Sequence, residues 1–346
     1  MESPNCPLPL SDYPRVLLAH GGGGLLTRRL VEQIFLPAFR NPALEALGDG
    51  AVVTIGGQRI AFTTDSYVAR PIFFAGGNIG ELAVYGTVND LAMCAAQPLY
   101  LSAGFILEEG FPMEDLRTIV AAMKAAAEAC GAALVAGDTK VVERGKGDGL
   151  FINTAGIGLV REGATSAPSA IRPGDVLILS GDVGRHGIAM LAARRELAFD
   201  ISVTSDAAPL HTPVLALLDA GVRVHALRDL TRGGLAAALN ELADAAGVTV
   251  RADETAVPVT EEVRGACEVL GFDPLAIANE GRFVVFCEAA DAEKALALLR
   301  AHPVSAGACR IGGAVVRAAA PVILTGPLGA TRVLDMPSGE LLPRIC

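Results

Sequence analysis

Apolar and polar positions alternate along the first half of the chain in blocks that change period. Ala51 to Ile55 and Arg59 to Thr63 are β-rich runs separated by Gly56-Gly57-Gln58, which predicts a hairpin ending at Thr64-Asp65-Ser66. Ile79 to Ala96 places Leu82, Ala83, Val84, Val88, Leu91 and Ala95 at helical spacing, interrupted by Asn89-Asp90. A strand follows at Pro98 to Leu107, a helix at Met113 to Cys130, and a strand at Ala132 to Val142. After the turn-rich Arg144 to Gly149 comes a further strand, Leu150 to Arg161. The order is ββαβαββ.

Glu162 to Asp175 holds Gly163, Pro168, Pro173 and Gly174 with little periodicity and reads as a linker between domains. Beyond it, strands are predicted at Val176 to Leu179, Val248 to Arg251, Phe283 to Cys287 and Ser305 to Val316. Helices are predicted at Gly187 to Arg195, Leu210 to Ala220, Thr231 to Ala246, Thr260 to Leu270 and Ala292 to Arg300. The mixed order predicts an α+β protein whose sheets are covered on one side. After Pro321, prolines and glycines punctuate the chain, which predicts a flexible, exposed tail.

Composition narrows the partners. With 28 basic and 38 acidic residues the net charge is −10, there is no Trp and no basic cluster, and a nucleic-acid partner is not expected. Hydrophobic residues make up 51%, yet no apolar run approaches the roughly 20 residues of a membrane span. Met1 to Arg15 lacks the basic-then-apolar pattern of a leader, so the expectation is a cytoplasmic protein. The seven cysteines contain no C-x-x-C pair; Cys94, Cys130 and Cys287 sit in apolar runs and read as reduced core residues, whereas Cys346 ends the chain.

His20-Gly21-Gly22-Gly23-Gly24 has the glycine density of a loop that wraps phosphate, although neither a P-loop lysine follows nor a strand precedes it; a flexible arm accounts for it as well. Asp65, Asp90, Asp138 and Asp229 each end or interrupt an apolar run, where a lone carboxylate is costly to bury. Singly each is a cap or turn residue; as a set they suggest hard oxygen ligands for magnesium and a nucleoside triphosphate. Lys140, one of four lysines, lies in an apolar run two residues after Asp138. It suits either a charge on transferring phosphate or a plain ion pair with that aspartate. Glu280 in Asn279-Glu280-Gly281 is a turn residue or a general base.

These motifs together resemble those of the HypE family of hydrogenase maturation proteins, in the PurM-like (aminoimidazole ribonucleotide synthetase-like) superfamily. The resemblance rests on His20 to Gly24, Thr63 to Ser66, Gly77 to Gly80, Gly86 to Met93, Gly137 to Val142, Arg228 to Gly234, Asn279 to Gly281 and the terminal Pro343-Arg344-Ile345-Cys346. It covers nearly the whole chain. One stretch, Gly181 to Gly187, departs from the family's residue order, so no role is assigned to Asp182 or Arg185.

The resemblance implies a two-domain PurM-like fold. Its parts are a glycine-rich nucleotide-covering segment (1–35), an N-terminal ATP-binding domain (36–165), a C-terminal domain (166–325) and a tail (326–346), with N-terminal domains pairing in a homodimer. It further implies ATP and Mg2+, with His20 to Gly24, Thr64, Asp65, Asn89, Asp90, Gly137, Asp138, Thr139 and Asp229 at the nucleotide. Asp65, Asp90, Asp138 and Asp229 would be metal ligands, and Cys346, Lys140 and Glu280 would be catalytic. A HypF-type carbamoyltransferase would load Cys346, the carbamoyl would become a thiocyanate, and HypC and HypD would receive the cyanide for the iron of a nickel-iron hydrogenase. Other enzymes of the superfamily share the acids. Selenophosphate synthetase would want a reactive cysteine followed by Gly, but Cys6 precedes Pro7-Leu8-Pro9; aminoimidazole ribonucleotide synthetase and thiamine monophosphate kinase lack the terminal motif. A non-catalytic nucleotide-binding scaffold would leave the acids and Lys140 idle.

Overall fold

The computed structural model describes residue 13 and residues 15–194, 201–339, 342 and 344–346. Most of the expected 1–35 segment is therefore visible, while residues 1–12, with Cys6, and Pro343 lie outside the described residues. Gly56 and Gly57, with φ of 58° and 82°, supply the positive dihedrals of a tight hairpin between β1 (Ala51–Ile55) and β2 (Gln58–Tyr67). A helix α1 (Gly24–Leu30) precedes them. The domain continues with α2 (Ile79–Met93), β3 (Ala96–Glu108), α3 (Met113–Ala129), β4 (Ala133–Val142) and β5 (Leu150–Val160). The five strands form one sheet in the order β1-β2-β5-β3-β4, with only the β3–β4 pair parallel.

Helix α2 is apolar all round because it is buried all round, between this sheet and the second domain. Leu101, Ala103, Ile119 and Met123 share its core. The opposite face of the sheet carries Phe62, Tyr100, Ile106 and Ile157, all exposed.

The second domain holds β6 (Val176–Leu179), α4 (Arg185–Ala193), α5 (His211–Asp219), β7 (Val224–Asp229), α6 (Gly234–Ala246) and β8 (Val248–Asp253). It is completed by α7 (Glu261–Leu270), β9 (Phe283–Cys287), α8 (Ala292–Arg300), β10 (Cys309–Val316), β11 (Val322–Thr325) and β12 (Thr331–Val333). Its sheet runs β12-β11-β8-β10-β6-β9-β7. This sheet is covered on both faces, unlike the one-sided sheet expected: successive residues of β6 and β9 enter two separate cores in alternation.

Strand β7 was not foreseen, because His225 and Arg228 break its apolar pattern. Buried partners satisfy both: Asp175 lies 2.7 Å from His225 Nδ1, and Asp49 lies 3.0 Å from Arg228 Nε. The tail also differs from expectation. Beyond Pro321 it adds two strands to the sheet edge, and its tip is buried, with Leu342 and Ile345 supplying the apolar area. Among the described residues no helix is long and apolar enough to cross a membrane.

Candidate active site

Four segments converge where the two domains meet. Strand β2 turns Thr63 and Asp65 toward α2, and the Thr63 hydroxyl donates to Asp90 Oδ2 at 2.7 Å. Asp90 stands in the last turns of α2, and Asp229 closes β7. Asp49, which sequence reasoning missed, comes from the loop before β1. Oxygens of Asp49, Asp90 and Asp229 lie within 4.8 Å of one another. Burial raises the proton affinity of all three, and repulsion from neighbouring acids, Asp65 in the case of Asp229, adds to it. Asp90 is pushed well above the ordinary range, Asp49 to about 8 and Asp229 to about 6, the Arg228 guanidinium opposing the last two rises. Three hard-oxygen donors held at close range against their repulsion suit a divalent cation.

The acids line a cavity of about 260 Å³ that also holds Thr64, Asp65, Arg232, Glu280 and Cys346. Glu280 is buried, and its Oε1 has no hydrogen-bond partner among the described residues. Burial, then the nearby Asp229, Asp65 and Asp206, raises its carboxyl well above the usual range. Arg232 is a second residue that sequence reasoning did not single out. Cys346, then Asp65 and Glu280, hold its guanidinium charged against its burial. Cys346 is 8% exposed and forms part of the cavity wall, not an exposed arm.

The glycine-rich loop closes one side. Gly23 and Gly24 have φ of 79° and 68°; a Cβ on Gly23 would lie 2.8 Å from Arg232 Cβ, and one on Gly24 2.2 Å from the Pro337 carbonyl oxygen. Gly23 lines both the acid cavity and an adjoining one of about 300 Å³, and Arg228 and Gly48 also line a third of about 510 Å³. His20 is occupied locally: its Nδ1 accepts the Leu17 N–H at 2.9 Å, and its carbonyl accepts the Thr27 hydroxyl. Gly21 follows a short turn, and Gly22 packs near Ile345.

Two parts of the expected set are elsewhere. Asn89 spends its amide between domains, donating to the Ala208 and Glu280 carbonyls and accepting the Leu210 N–H at 2.7 Å, so it is a strut. Gly137, Asp138, Thr139 and Lys140 lie on the edge strand β4, outside the cavity. Lys140 Nζ sits 2.7 Å from Asp138 with both side chains more than two-thirds exposed, so within one chain the plain ion pair is what forms. Their register partners on β3 are Ile106 and Gly104, which puts both on the sheet's exposed face.

Known proteins resemble this chain in sequence and in fold. The profile of the family described as "AIR synthase related protein" matches residues 47–160 with its N-terminal domain and 172–323 with its C-terminal domain. "Carbamoyl dehydratase HypE" of Rhodobacter capsulatus is 51% identical over 96% of this chain and 98% of its own length. The protein of that name from Escherichia coli strain K12 is 47% identical over 96% of this chain and 99% of its own. Among solved structures, one described as HypE in complex with ATP superposes with a TM-score of 0.81 at 46% identity, covering 96% of this chain and all of that one. A HypE–HypF complex contains a chain that superposes at 0.84 with 45% identity, covering 89% and 99%.

Proposed function

The chain belongs to the AIR synthase related family, and within it to the carbamoyl dehydratases HypE; from that premise we propose that it dehydrates a carbamoyl group carried on its own Cys346, using ATP. The single observation that carries this reading is the position of Cys346 in the wall of a cavity beside Glu280, Arg232 and the aspartates.

The reaction is R–S–C(O)NH2 + ATP → R–S–C≡N + ADP + phosphate. An amide oxygen leaves poorly, so it must first be phosphorylated: the carboxamide oxygen bonds to the γ-phosphorus as the bond to ADP breaks. The C–O bond then breaks with phosphate as the leaving group while the nitrogen gives up its two protons. Glu280 Oε1, without a partner and with raised proton affinity, receives one proton, and the other leaves with phosphate. Arg232 holds charge that builds on the transferring oxygens. Asp49, Asp90 and Asp229, with Asp65 beside them, are the residues that would hold Mg2+, which when bound supplies neutralisation of phosphate charge. The adjoining cavities beside Gly23 and Gly48 offer room for the rest of the nucleotide.

The protein works as a homodimer through the exposed face of the first sheet. Phe62, Tyr100, Ile106 and Ile157 make that face apolar, and Asp138 and Lys140 stand on it, so pairing would deliver them toward the partner's nucleotide, where Lys140 orients the reacting group. A HypF-type protein loads the thiol, and HypC–HypD-type iron carriers receive the cyanide in the cytoplasm.

Mass spectrometry of the C-terminal peptide tests the reading after incubation with the carbamoyltransferase, carbamoyl phosphate and ATP. Addition of a carbamoyl group followed by loss of one water is expected; modification on Cys309, or a carbamoyl that persists with ATP, contradicts it.

A further inference from the structure

The tip of the chain runs beside residues 68–70 and is tied to them by two backbone hydrogen bonds. The Val68 N–H donates to a main-chain carboxylate oxygen of Cys346 and the Arg70 N–H to the Arg344 carbonyl, both at 3.0 Å. The carbonyl between them, that of Ile345, meets a side chain: His186 Nε2 lies 2.8 Å from it. His186 stands in the first turn of α4 and is 0% exposed. Its other ring nitrogen, Nδ1, is 2.8 Å from Ser205 Oγ, which also accepts the Ala207 N–H at 3.0 Å.

These partners settle where the proton is. A carbonyl only accepts, so Nε2 carries hydrogen and donates to Ile345. Burial lowers the imidazole's pKa, so the ring is neutral and Nδ1 accepts the Ser205 hydroxyl proton. The rest of α4 serves the same grip. Arg194, just past its end, donates Nη2 to the Arg344 carbonyl at 2.9 Å and Nε to the Arg70 carbonyl at 2.8 Å. Gly187 lets the helix close on the tail, since a Cβ there would lie 2.9 Å from Leu342 Cδ1.

We propose that His186, held by Ser205, is the positioning residue that seats the C-terminal thiol in the acid cavity through the backbone carbonyl of the penultimate residue. The inference deepens the function proposed above and rests on it only for the kinetic readout. A hydrogen bond to a backbone carbonyl reads nothing on the sulfur, so the same seat serves a free thiol, a thiocarbamate and a thiocyanate. Each keeps its last two peptide groups in register while the group on sulfur changes.

The test uses the full chain and iodoacetamide, with alkylation of Cys346 followed by peptide mass spectrometry. His186→Leu removes the donor while keeping bulk and is expected to speed labelling about tenfold, the scale of losing one buried hydrogen bond. His186→Gln, whose amide can reach the same carbonyl, should return labelling to within about twofold of wild type, and Ser205→Ala should speed it about threefold. On protein already carbamoylated, His186→Leu should slow dehydration about tenfold with the KM for ATP unchanged, and His186→Gln should rescue it. Wild-type labelling in a folded His186→Leu protein overturns the proposal; should that variant not fold, wild-type labelling in Ser205→Ala does so. Labelling that changes as expected in a protein that never dehydrates its carbamoyl group upholds the seat and rejects the function.

Discussion

Asp65 and Asp138 both follow a β-rich run and precede a small polar residue, yet the fold gives them opposite fates. Asp65 alternates with Thr63 and Tyr67 on the side of β2 that faces α2, and it joins the buried acids. Asp138 pairs across the sheet with Gly104, on the side that faces away, and holds Lys140 at the surface. The parity of a residue within its strand decides whether a carboxylate costs burial energy or rests in water. A buried acid set that repels itself is stabilised by a cation; an exposed pair becomes part of a site only if another chain covers it.

The largest expected effect lies inside. Asp90→Asn should lower ATP turnover about a thousandfold, the scale of removing a central electrostatic group. The cation-free protein should nonetheless melt at a higher temperature than wild type, because burial and the neighbouring aspartates disfavour the charge on Asp90. A fall in both would make Asp90 a structural cap. Outside, Lys140→Ala should slow dehydration about a hundredfold without changing the melting temperature, since an exposed pair contributes little to folding. Mixing that variant with Asp90→Asn as exchanging dimers should restore about a quarter of the wild-type rate, because half the dimers then carry one intact site. No recovery would mean that each chain completes its own site, which would remove the contrast between the two acids.

The smallest effect concerns acid. Arg344 first, then Arg70, holds the Asp148 carboxyl below its usual range. A lowered folded pKa gives a contribution complete above the ordinary aspartate value and lost as pH falls through the lowered one. Hydrogen exchange of the amides at 344–346, corrected for intrinsic rates, should therefore be unchanged between pH 7 and 5 and quicken only below about pH 4. Quickening already at pH 6 would point to another group as the tether.

The sequence made most of the fold legible wherever apolar runs were unbroken. Val176–Leu179, Phe283–Cys287 and Ala292–Arg300 match their predicted bounds. It hid β7, whose polar residues find partners only in the folded state. The site was legible as a set of motifs but not as a place. Asp49 in Gly48-Asp49-Gly50 reads as a turn, and only the approach of β7 brings it beside the other acids. Asn89 stands beside Asp90 in sequence, but one residue along a helix turns its amide toward the other domain. The tail looked loose because prolines and glycines interrupt its apolar residues every few positions, whereas much of its hold comes from backbone hydrogen bonds, which no sequence pattern reports.

Tracing the carbamoyl oxygen tests the central claim most directly. Protein bearing a carbamoyl group labelled with heavy oxygen on Cys346 would be given one equivalent of unlabelled ATP, and the released phosphate weighed. Phosphorylation of the carboxamide oxygen predicts one heavy oxygen in each phosphate formed and an unlabelled thiocyanate on the terminal peptide. Unlabelled phosphate, with the heavy oxygen appearing in water, would show that ATP is hydrolysed apart from the dehydration and would contradict the account.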